Sequence, residues 1–174
     1  NLPKHIAIIP DGNRRWARSR GLAPWRGHEA GAKNLEKLVM FALKKGIYCL
    51  SFWGSSLDNL KKRPLQEKKA LLEIYKQYFQ WLIGSKEVRE KEVRVNVIGR
   101  WQEQFPQSLK DSINEIVEKT KNYNKRILNL LLAYSGTDEM IQAVQNINAK
   151  YGEKTIITEK LIKDNLMTRE IPAV

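Results

Sequence analysis

The chain has 174 residues, 42% of them apolar, which is the size of one globular domain with a substantial core. Lysine and arginine outnumber aspartate and glutamate by 31 to 19, giving a formal net charge of +12 that favours an anionic partner such as a phosphate ester, a nucleic acid or an acidic lipid. No stretch approaches the roughly 20 apolar residues of a membrane-spanning helix, and no signal-like apolar run follows Asn1. We therefore expect a cytoplasmic protein with one domain over residues 1–174. The single cysteine, Cys49, lies within an apolar run and is expected to be a buried structural thiol.

The first predicted element is a buried strand at His5–Pro10, which ends in an Asp-Gly turn. A helix follows, with apolar residues at helical spacing from Leu35 to Ala42 and with Gly46 as its C-terminal cap. The segment Tyr48–Trp53 is the second predicted strand. The chain therefore opens with a strand–helix–strand unit.

The longest predicted helix is Leu65–Ile83, whose apolar residues spread over more than one stripe. This pattern fits either a helix covered on several sides or the wall of a lipid pocket. A third strand at residues 93–98, a helix opened by Pro106, a fourth strand at Ile127–Tyr134 and a helix capped by Thr137 complete the order. The alternation predicts an α/β fold with a predominantly parallel sheet flanked by helices, and a ligand site beyond the carboxyl ends of the strands.

The segment from Asp11 to Arg18 directly follows the first strand and contains a carboxylate, a glycine and three arginines. Gly12 allows a close approach of the backbone to a phosphate, and Arg15 can bind phosphate oxygens with both arms of its guanidinium. Because Asp11 would repel a bare phosphate, its presence indicates a bridging cation, most simply Mg²⁺. An Asp-Gly turn followed by a solvated basic face explains the same spacing equally well, so spacing alone leaves both readings open.

The run HIAIIPDGNRRWAR, followed by Gly27-His28-Glu29-Ala30-Gly31, resembles the signature of the cis-prenyltransferases, the undecaprenyl diphosphate synthase family. Later segments occur in the family's order: a strand leading to Ser56, an Ile-Gly turn at Ile98, and a strand ending near Tyr134. The resemblance implies an enzyme that condenses an allylic isoprenoid diphosphate with isopentenyl diphosphate to give a longer cis-polyprenyl diphosphate. It also implies an apolar tunnel beside the sheet, a homodimer and a peripheral membrane contact for product release.

The resemblance assigns roles to the polar residues after the first strand. Asp11 would be catalytic and would hold Mg²⁺ on a substrate diphosphate. The residues expected to bind the allylic diphosphate or to pack beside it are Gly12, Asn13, Arg14, Arg15, Trp16 and His28. Outside the family context, His28 would more often be a structural hydrogen-bonding residue in a Gly-His loop.

A second group of expected site residues follows the second strand. Asn59 corresponds to the residue proposed to help remove a proton from isopentenyl diphosphate, and Arg63 to a substrate-contacting arginine. The remaining expected substrate contacts in this group are Ser56, Leu57, Asp58 and Leu60. Without the resemblance, these residues would be an ordinary polar turn.

The chain departs from the commoner family pattern in several places. Arg14 stands where a second glycine is frequent, and Leu60 stands where a tryptophan is common. An extra residue precedes Arg63, and Pro24 replaces an arginine, for which Arg26 is the expected substitute. The family's C-terminal segment, which carries isopentenyl diphosphate contacts and a second Mg²⁺ carboxylate, is expected to be absent from this chain.

Two other functional classes remain as alternatives. A basic nucleic-acid-binding module would explain the charge and the tryptophans, but it would not need Asp11, and we expect no nucleic acid partner. A catalytically silent subunit of a heteromeric prenyltransferase is the second alternative. Such subunits resemble the reverse of this chain, because they lack the Asp-Gly-Asn segment and keep the C-terminal one.

Overall fold

The computed structural model describes residues 2–172. Four strands form one sheet in the order β1-β2-β4-β3: β1 is His5–Ile8, β2 is Cys49–Trp53, β3 is Val93–Ile98 and β4 is Arg126–Leu131. All three neighbouring pairs run parallel. The prediction of a predominantly parallel sheet flanked by helices is confirmed, and all four strands end at the same edge of the sheet.

The helices connect and cover the strands. They are α1 Asn13–Arg18, α2 Pro24–Lys45, α3 Leu57–Lys62, α4 Leu65–Gly84, α5 Lys86–Glu90, α6 Trp101–Gln104, α7 Gln107–Thr120, α8 Gly136–Tyr151 and α9 Glu159–Asn165. Long α4 packs between α2 and α7. Within residues 2–172, none of these helices has the length and apolar character needed to cross a membrane.

The main core lies between one face of the sheet and helices α2, α4 and α7. Side chains alternate between the two faces of a strand, so Leu50, Leu128 and Val95, which are aligned across three strands, all point into this core. The apolar residues of α4, including Leu71, Phe79 and Leu82, are buried against them. The wide apolar surface of α4 therefore follows from its position between two other helices and the sheet.

The opposite face of the sheet carries a buried polar network. Nε2 of His5 lies 2.8 Å from Oγ of Ser51, and Nδ2 of Asn129 donates to the same Oγ at 3.0 Å and to Sγ of Cys49 at 3.3 Å. Nδ1 of His5 lies 2.8 Å from the carbonyl oxygen of Pro172. Cys49 is a free, buried thiol, as expected, and the network ties the end of the described chain to the start of β1.

Two helix starts differ from the predictions. Helix α2 begins at Pro24, not near Leu35, because Pro24 occupies the first turn, where its missing N–H costs nothing. His28 consequently lies on a helix and not in a Gly-His loop. The cap of α8 is Ser135, whose Oγ accepts from the N–H of Asp138, so the prediction of Thr137 as the cap is wrong.

Candidate active site

The chain turns away from β1 through Asp11 and Gly12 just before α1 begins. Gly12 has a φ of 92°, in the left-handed region that glycine adopts without a steric penalty. The carboxylate of Asp11 accepts a hydrogen bond of 2.8 Å from Nη2 of Arg15, and the two side chains are 85% and 75% exposed. Because both charges are in water, the pair adds little stability and can be rearranged at low cost by a ligand.

Two glycines of α2 set the position of α1. A Cβ atom at Gly27 would lie 1.9 Å from the backbone oxygen of Asn13, and one at Gly31 would lie 2.9 Å from Nδ2 of the same residue. A larger residue at either position would push the two helices apart. The glycines therefore hold Asn13 directly against α2, and Asp11 and Trp16 line a groove beside this contact.

A buried carboxylate, Glu67 in the first turn of α4, joins three basic side chains. Its Oε2 accepts from Nη2 of Arg14 at 2.7 Å, and its Oε1 accepts from Nη1 of Arg63. Nε2 of His28 lies 3.1 Å from Oε1 of Glu67 and 2.9 Å from Nη1 of Arg63. We call Arg14, His28, Arg63 and Glu67 the buried ion cluster; it connects α1, α2 and α4 and the turn before α4.

The charges of the buried ion cluster are fixed by their surroundings. Burial alone raises the pKa of Glu67, but hydrogen bonds from Arg14 and His28 and the charge of Arg63 outweigh it and lower the pKa to about 2. Burial lowers the pKa of His28, against the raising effect of its hydrogen bond to Glu67. At neutral pH, Glu67 is therefore ionised and the imidazole is neutral. The neutral ring either donates to Glu67 or accepts from Arg63, depending on its tautomer.

An apolar cavity lies under the polar residues. Asn13 and His28 are among its lining residues, and its walls come from α2, α4 and the core face of the sheet. The apolar lining is Pro10, Ala32, Leu35, Phe52, Leu71, Ile74, Tyr75, Tyr78, Phe79, Leu130 and Leu132. Its volume of about 60 Å³ has space for only a few water-sized groups. Helix α4 thus forms one wall of an amphiphilic cavity, while the predicted tunnel for a long chain stays a prediction.

The residues after β2 form the short helix α3 instead of an open turn. Oγ of Ser56 caps this helix by accepting from the N–H of Asn59 at 3.0 Å, and Asp58 pairs with Lys62 at 3.5 Å on the exposed side. Leu57 packs against the core, and Leu60 is fully buried within it. The N–H of Arg63 donates to the carbonyl oxygen of Asn59 at 3.1 Å, which connects α3 to the buried ion cluster through the backbone. The roles predicted for the side chains of these residues stay predictions.

The structure brings together the predicted residues in two groups. Arg14, His28 and Arg63 meet in the buried ion cluster, and Asp11 pairs with Arg15. Gly12, Asn13 and Trp16 line the groove beside Asp11, and Arg20 is stacked 4.4 Å from the Trp16 ring. Arg26 pairs with Glu29 at 2.8 Å. The arginine that enters the cluster is Arg63, whereas the preceding Lys62 points outward to Asp58.

Sequence reasoning missed Glu67. The available signal was its spacing of four residues from Arg63, in the first turn of a helix that follows a proline. Most acidic residues at such positions are solvated, and only the three-dimensional structure shows that Glu67 is 4% exposed and contacts Arg14 and His28 from other elements.

Comparisons with known proteins point in one direction. The family model of undecaprenyl diphosphate synthase matches residues 9–174. A tritrans,polycis-undecaprenyl-diphosphate synthase (geranylgeranyl-diphosphate specific) from Pyrococcus abyssi is 40% identical over 98% of this chain, and one from Pyrococcus horikoshii is 44% identical over 84% of it. The crystal structure of lavandulyl diphosphate synthase from Lavandula x intermedia, in complex with dimethylallyl diphosphate, superposes on 97% of this chain and 72% of its own with a TM-score of 0.86 and 28% identity.

The chain spans only part of the two curated relatives. The matched region is 66% of the Pyrococcus abyssi protein and 54% of the Pyrococcus horikoshii protein. The region that the family model matches, residues 9–174, includes the Asp11 turn, the buried ion cluster and the wall of the cavity.

Proposed function

The chain belongs to the undecaprenyl diphosphate synthase family of prenyltransferases, and from this premise we propose that it condenses an allylic isoprenoid diphosphate with isopentenyl diphosphate. The observation that carries the proposal is the amphiphilic cavity. Its polar lining residues are Asn13, which follows the Asp11 turn in the chain, and His28, and its apolar walls come from α2, α4 and the sheet. An allylic diphosphate has the same division between an anionic head and an apolar tail.

The chemistry requires the C–O bond of the allylic diphosphate to break as the alkene of isopentenyl diphosphate forms a new carbon–carbon bond. The electron pair of the broken bond leaves with the diphosphate, and loss of a proton from the former isopentenyl unit completes the step. Fixed positive charge must therefore face the departing diphosphate before the reaction starts. Arg15, which needs only to exchange Asp11 for a phosphate, and the half-exposed Arg14 would supply it.

The donor set at Asp11 fits Mg²⁺, which keeps several waters and takes only one or two carboxylates together with substrate phosphates. Within residues 2–172, no three His, Cys, Asp or Glu side chains form a metal cage, so a metal at Asp11 would take its other ligands from the diphosphate and water. When bound there, Mg²⁺ would neutralise charge on the leaving diphosphate. Asp11 would hold the ion, and Arg15 would be released from its pair to bind phosphate oxygens.

His28 and Asn59 would act by hydrogen bonding. When Nε2 of His28 accepts from Arg63, the proton of the neutral ring is on Nδ1, and this N–H can donate to a phosphate oxygen. Asn59 is exposed in the first turn of α3. Because an amide does not take up a proton at neutral pH, Asn59 would help proton removal by orienting isopentenyl diphosphate and not by acting as the base.

For the allylic primer we propose geranylgeranyl diphosphate, because the names of both Pyrococcus relatives carry that specificity. A homodimer, a cytoplasmic location and a membrane contact are further proposals that rest on the family resemblance. A silent partner subunit is less well supported, since the Asp11–Arg15 segment is complete and positioned beside the cavity.

The test is incorporation of labelled isopentenyl diphosphate by the purified protein with geranylgeranyl, farnesyl or dimethylallyl diphosphate, with and without Mg²⁺. We expect products lengthened by five-carbon units with cis double bonds, formed fastest from geranylgeranyl diphosphate and abolished by a chelator. Incorporation from none of the primers by a folded protein would refute the proposed activity. Equal rates with all three would refute the proposed primer alone.

A further inference from the structure

The exposed face of α2 is basic and has an aromatic residue at its middle. Lys33, Lys37, Phe41, Lys44 and Lys45 are all exposed, and at 100° per residue their positions fall within an arc of about 120°. We call these five residues the lysine face. It continues along the last four turns of a helix whose other side is buried against the core.

The acidic residues of α2 lie on a different side. Glu29 and Glu36 line the groove between α2 and α4, and Lys33, at the edge of the lysine face, lines the same groove. Glu29 is paired with Arg26 at 2.8 Å. Within α2, which the structure describes throughout, neither carboxylate falls inside the arc of the lysine face. Lys37, Lys44 and Lys45, which do not line that groove, therefore project a local positive field.

Phe41 makes this surface different from an ordinary solvated basic face. Its side chain is 59% exposed, with Nζ of Lys45 located 5.6 Å from the ring centroid, and neighbouring Leu38 is 36% exposed. Apolar residues flanked by lysines are typical of helices that lie in the headgroup region of a membrane, where the ring enters the boundary and the ammonium groups contact phosphates. An aromatic residue exposed beside Leu38 suits a lipid boundary better than a nucleic acid backbone.

The lysine face also continues into the candidate active site. Lys33 and Lys37 line the same groove as Asp11 and Trp16. A surface bound to the lysine face would therefore lie beside the place where an allylic diphosphate enters or leaves. This link rests on the proposed function, in which both substrate and product are lipid diphosphates.

We infer that the lysine face docks the protein on an anionic phospholipid surface, with Phe41 and Leu38 inserted at headgroup depth. The attraction comes from charge and the insertion from the exposed ring, so both parts are needed. Each lysine within a Debye length of an anionic leaflet adds its own attraction, so the binding free energy rises with the number of lysines. Because salt screens this attraction, binding weakens as the salt concentration rises.

The experiment measures sedimentation of the protein with vesicles of phosphatidylcholine, with or without phosphatidylglycerol. The variants are Lys37→Gln/Lys44→Gln/Lys45→Gln, Phe41→Gln, and a charge-matched control, Lys150→Gln/Lys154→Gln/Lys160→Gln, on and after α8. Each lysine of the face is expected to contribute roughly fivefold to the partition coefficient, so the first variant loses roughly a hundredfold. Phe41→Gln loses several-fold on the same vesicles, and the control loses less than about twofold.

Several results would overturn the inference. They are equal losses in the two triple variants, unchanged binding of the first one, or wild-type binding that does not depend on phosphatidylglycerol. Tighter binding to single-stranded DNA than to anionic vesicles, lost through the same lysines, would reassign the face to nucleic acid. Circular dichroism confirms that each variant is folded. Vesicle binding needs no turnover, so elongation in detergent by a protein that ignores vesicles would refute this inference and leave the proposed function standing.

Discussion

Two carboxylates pair with arginines beside the cavity, and they differ most in burial. Asp11 is 85% exposed and contacts only Arg15 among the side chains within hydrogen-bonding distance in the described structure. Glu67 is 4% exposed and contacts Arg14, His28 and Arg63. A carboxylate and a guanidinium group therefore form an exposed pair at Asp11, whereas at Glu67 the carboxylate is buried and holds several partners.

The difference in burial indicates a division of roles between the two carboxylates. An exposed pair costs little to break, so Asp11 and Arg15 can each turn to a metal ion or a phosphate. A buried pair holds its partners in place, because removal of one member leaves an uncompensated charge away from water. Glu67 thus positions the guanidinium groups of Arg14 and Arg63. Asp11 and Arg15 remain available to bind ligands.

The sharpest test of this division is Asp11→Ala, for which we expect a fall in turnover of roughly a thousandfold or more. The free energy of unfolding should change by less than about 0.5 kcal/mol, because the lost pair is exposed. Steady-state kinetics and urea denaturation measure the two quantities. Asp111→Ala, which removes an exposed carboxylate on α7, is the control for both, and near-normal turnover of Asp11→Ala would show that Asp11 has no role in the reaction.

Unlike Asp11→Ala, Glu67→Gln should strongly affect stability, with a loss of about 3 kcal/mol in the free energy of unfolding. The amide keeps the size of the side chain but leaves two arginines without a countercharge. Urea denaturation of this variant and of Glu73→Gln, which alters an exposed residue of the same helix, gives the comparison. A difference of less than about 1 kcal/mol between the two variants would mean that the buried ion cluster does not stabilise the fold.

The fold was largely predictable because its signals are local. Strands β2 and β3 appear in the sequence as short apolar runs within a residue of their observed ends, and Gly46 caps α2 as predicted. The start of α2 was not predictable in the same way. Gly27 and Gly31 suggest a loop, yet they are required for a close contact with Asn13, which lies in another helix.

The candidate site was predictable only where it follows directly from one strand. Asp11, Gly12 and Arg15 are adjacent in the sequence and also in space. Glu67 lies 53 residues from Arg14 and 39 from His28, so its burial depends on how α1, α2 and α4 pack. Neither propensity nor periodicity carries that information, since a glutamate in a first helical turn is favourable in water as well.

Arginine-to-lysine substitutions give a second test of the difference between the exposed Asp11–Arg15 pair and the buried ion cluster. Arg15→Lys should lower kcat/KM for the allylic diphosphate between about tenfold and a hundredfold with little effect on stability, because an ammonium group cannot form the planar two-armed contact. Arg14→Lys should lower stability as well, since Arg14 donates to buried Glu67. Titration of the allylic substrate and thermal unfolding provide the two readouts. If the two variants lost kcat/KM and thermal stability to the same extent, the difference in role between the exposed pair and the buried ion cluster would be contradicted.

The pH dependence of stability should also report on Glu67. Its pKa is lowered from 4.5 to about 2 in the folded protein, so the unfolded chain takes up the proton first. The stabilisation is fully present above pH 4.5 and is lost as the pH falls towards 2. Urea midpoints measured across this window should fall more steeply for the wild type than for Glu67→Gln, which has no proton to take up, and parallel curves would rule out a strongly depressed pKa.

The smallest effect is expected from filling the cavity. Ala32 lines the cavity one helical turn after His28 on α2. Ala32→Leu should leave Asn13 and His28 in place and shorten the products by about one isoprene unit or more, because added methyl groups occupy space that the growing tail would need. Gly84→Trp is the matched control: Gly84 is exposed at the end of α4, and a Cβ there would have no heavy atom within 4 Å in the described structure. Mass spectrometry of the products distinguishes the outcomes. If both variants make products of wild-type length, the tail does not pass through this cavity, and its apolar lining serves only as core.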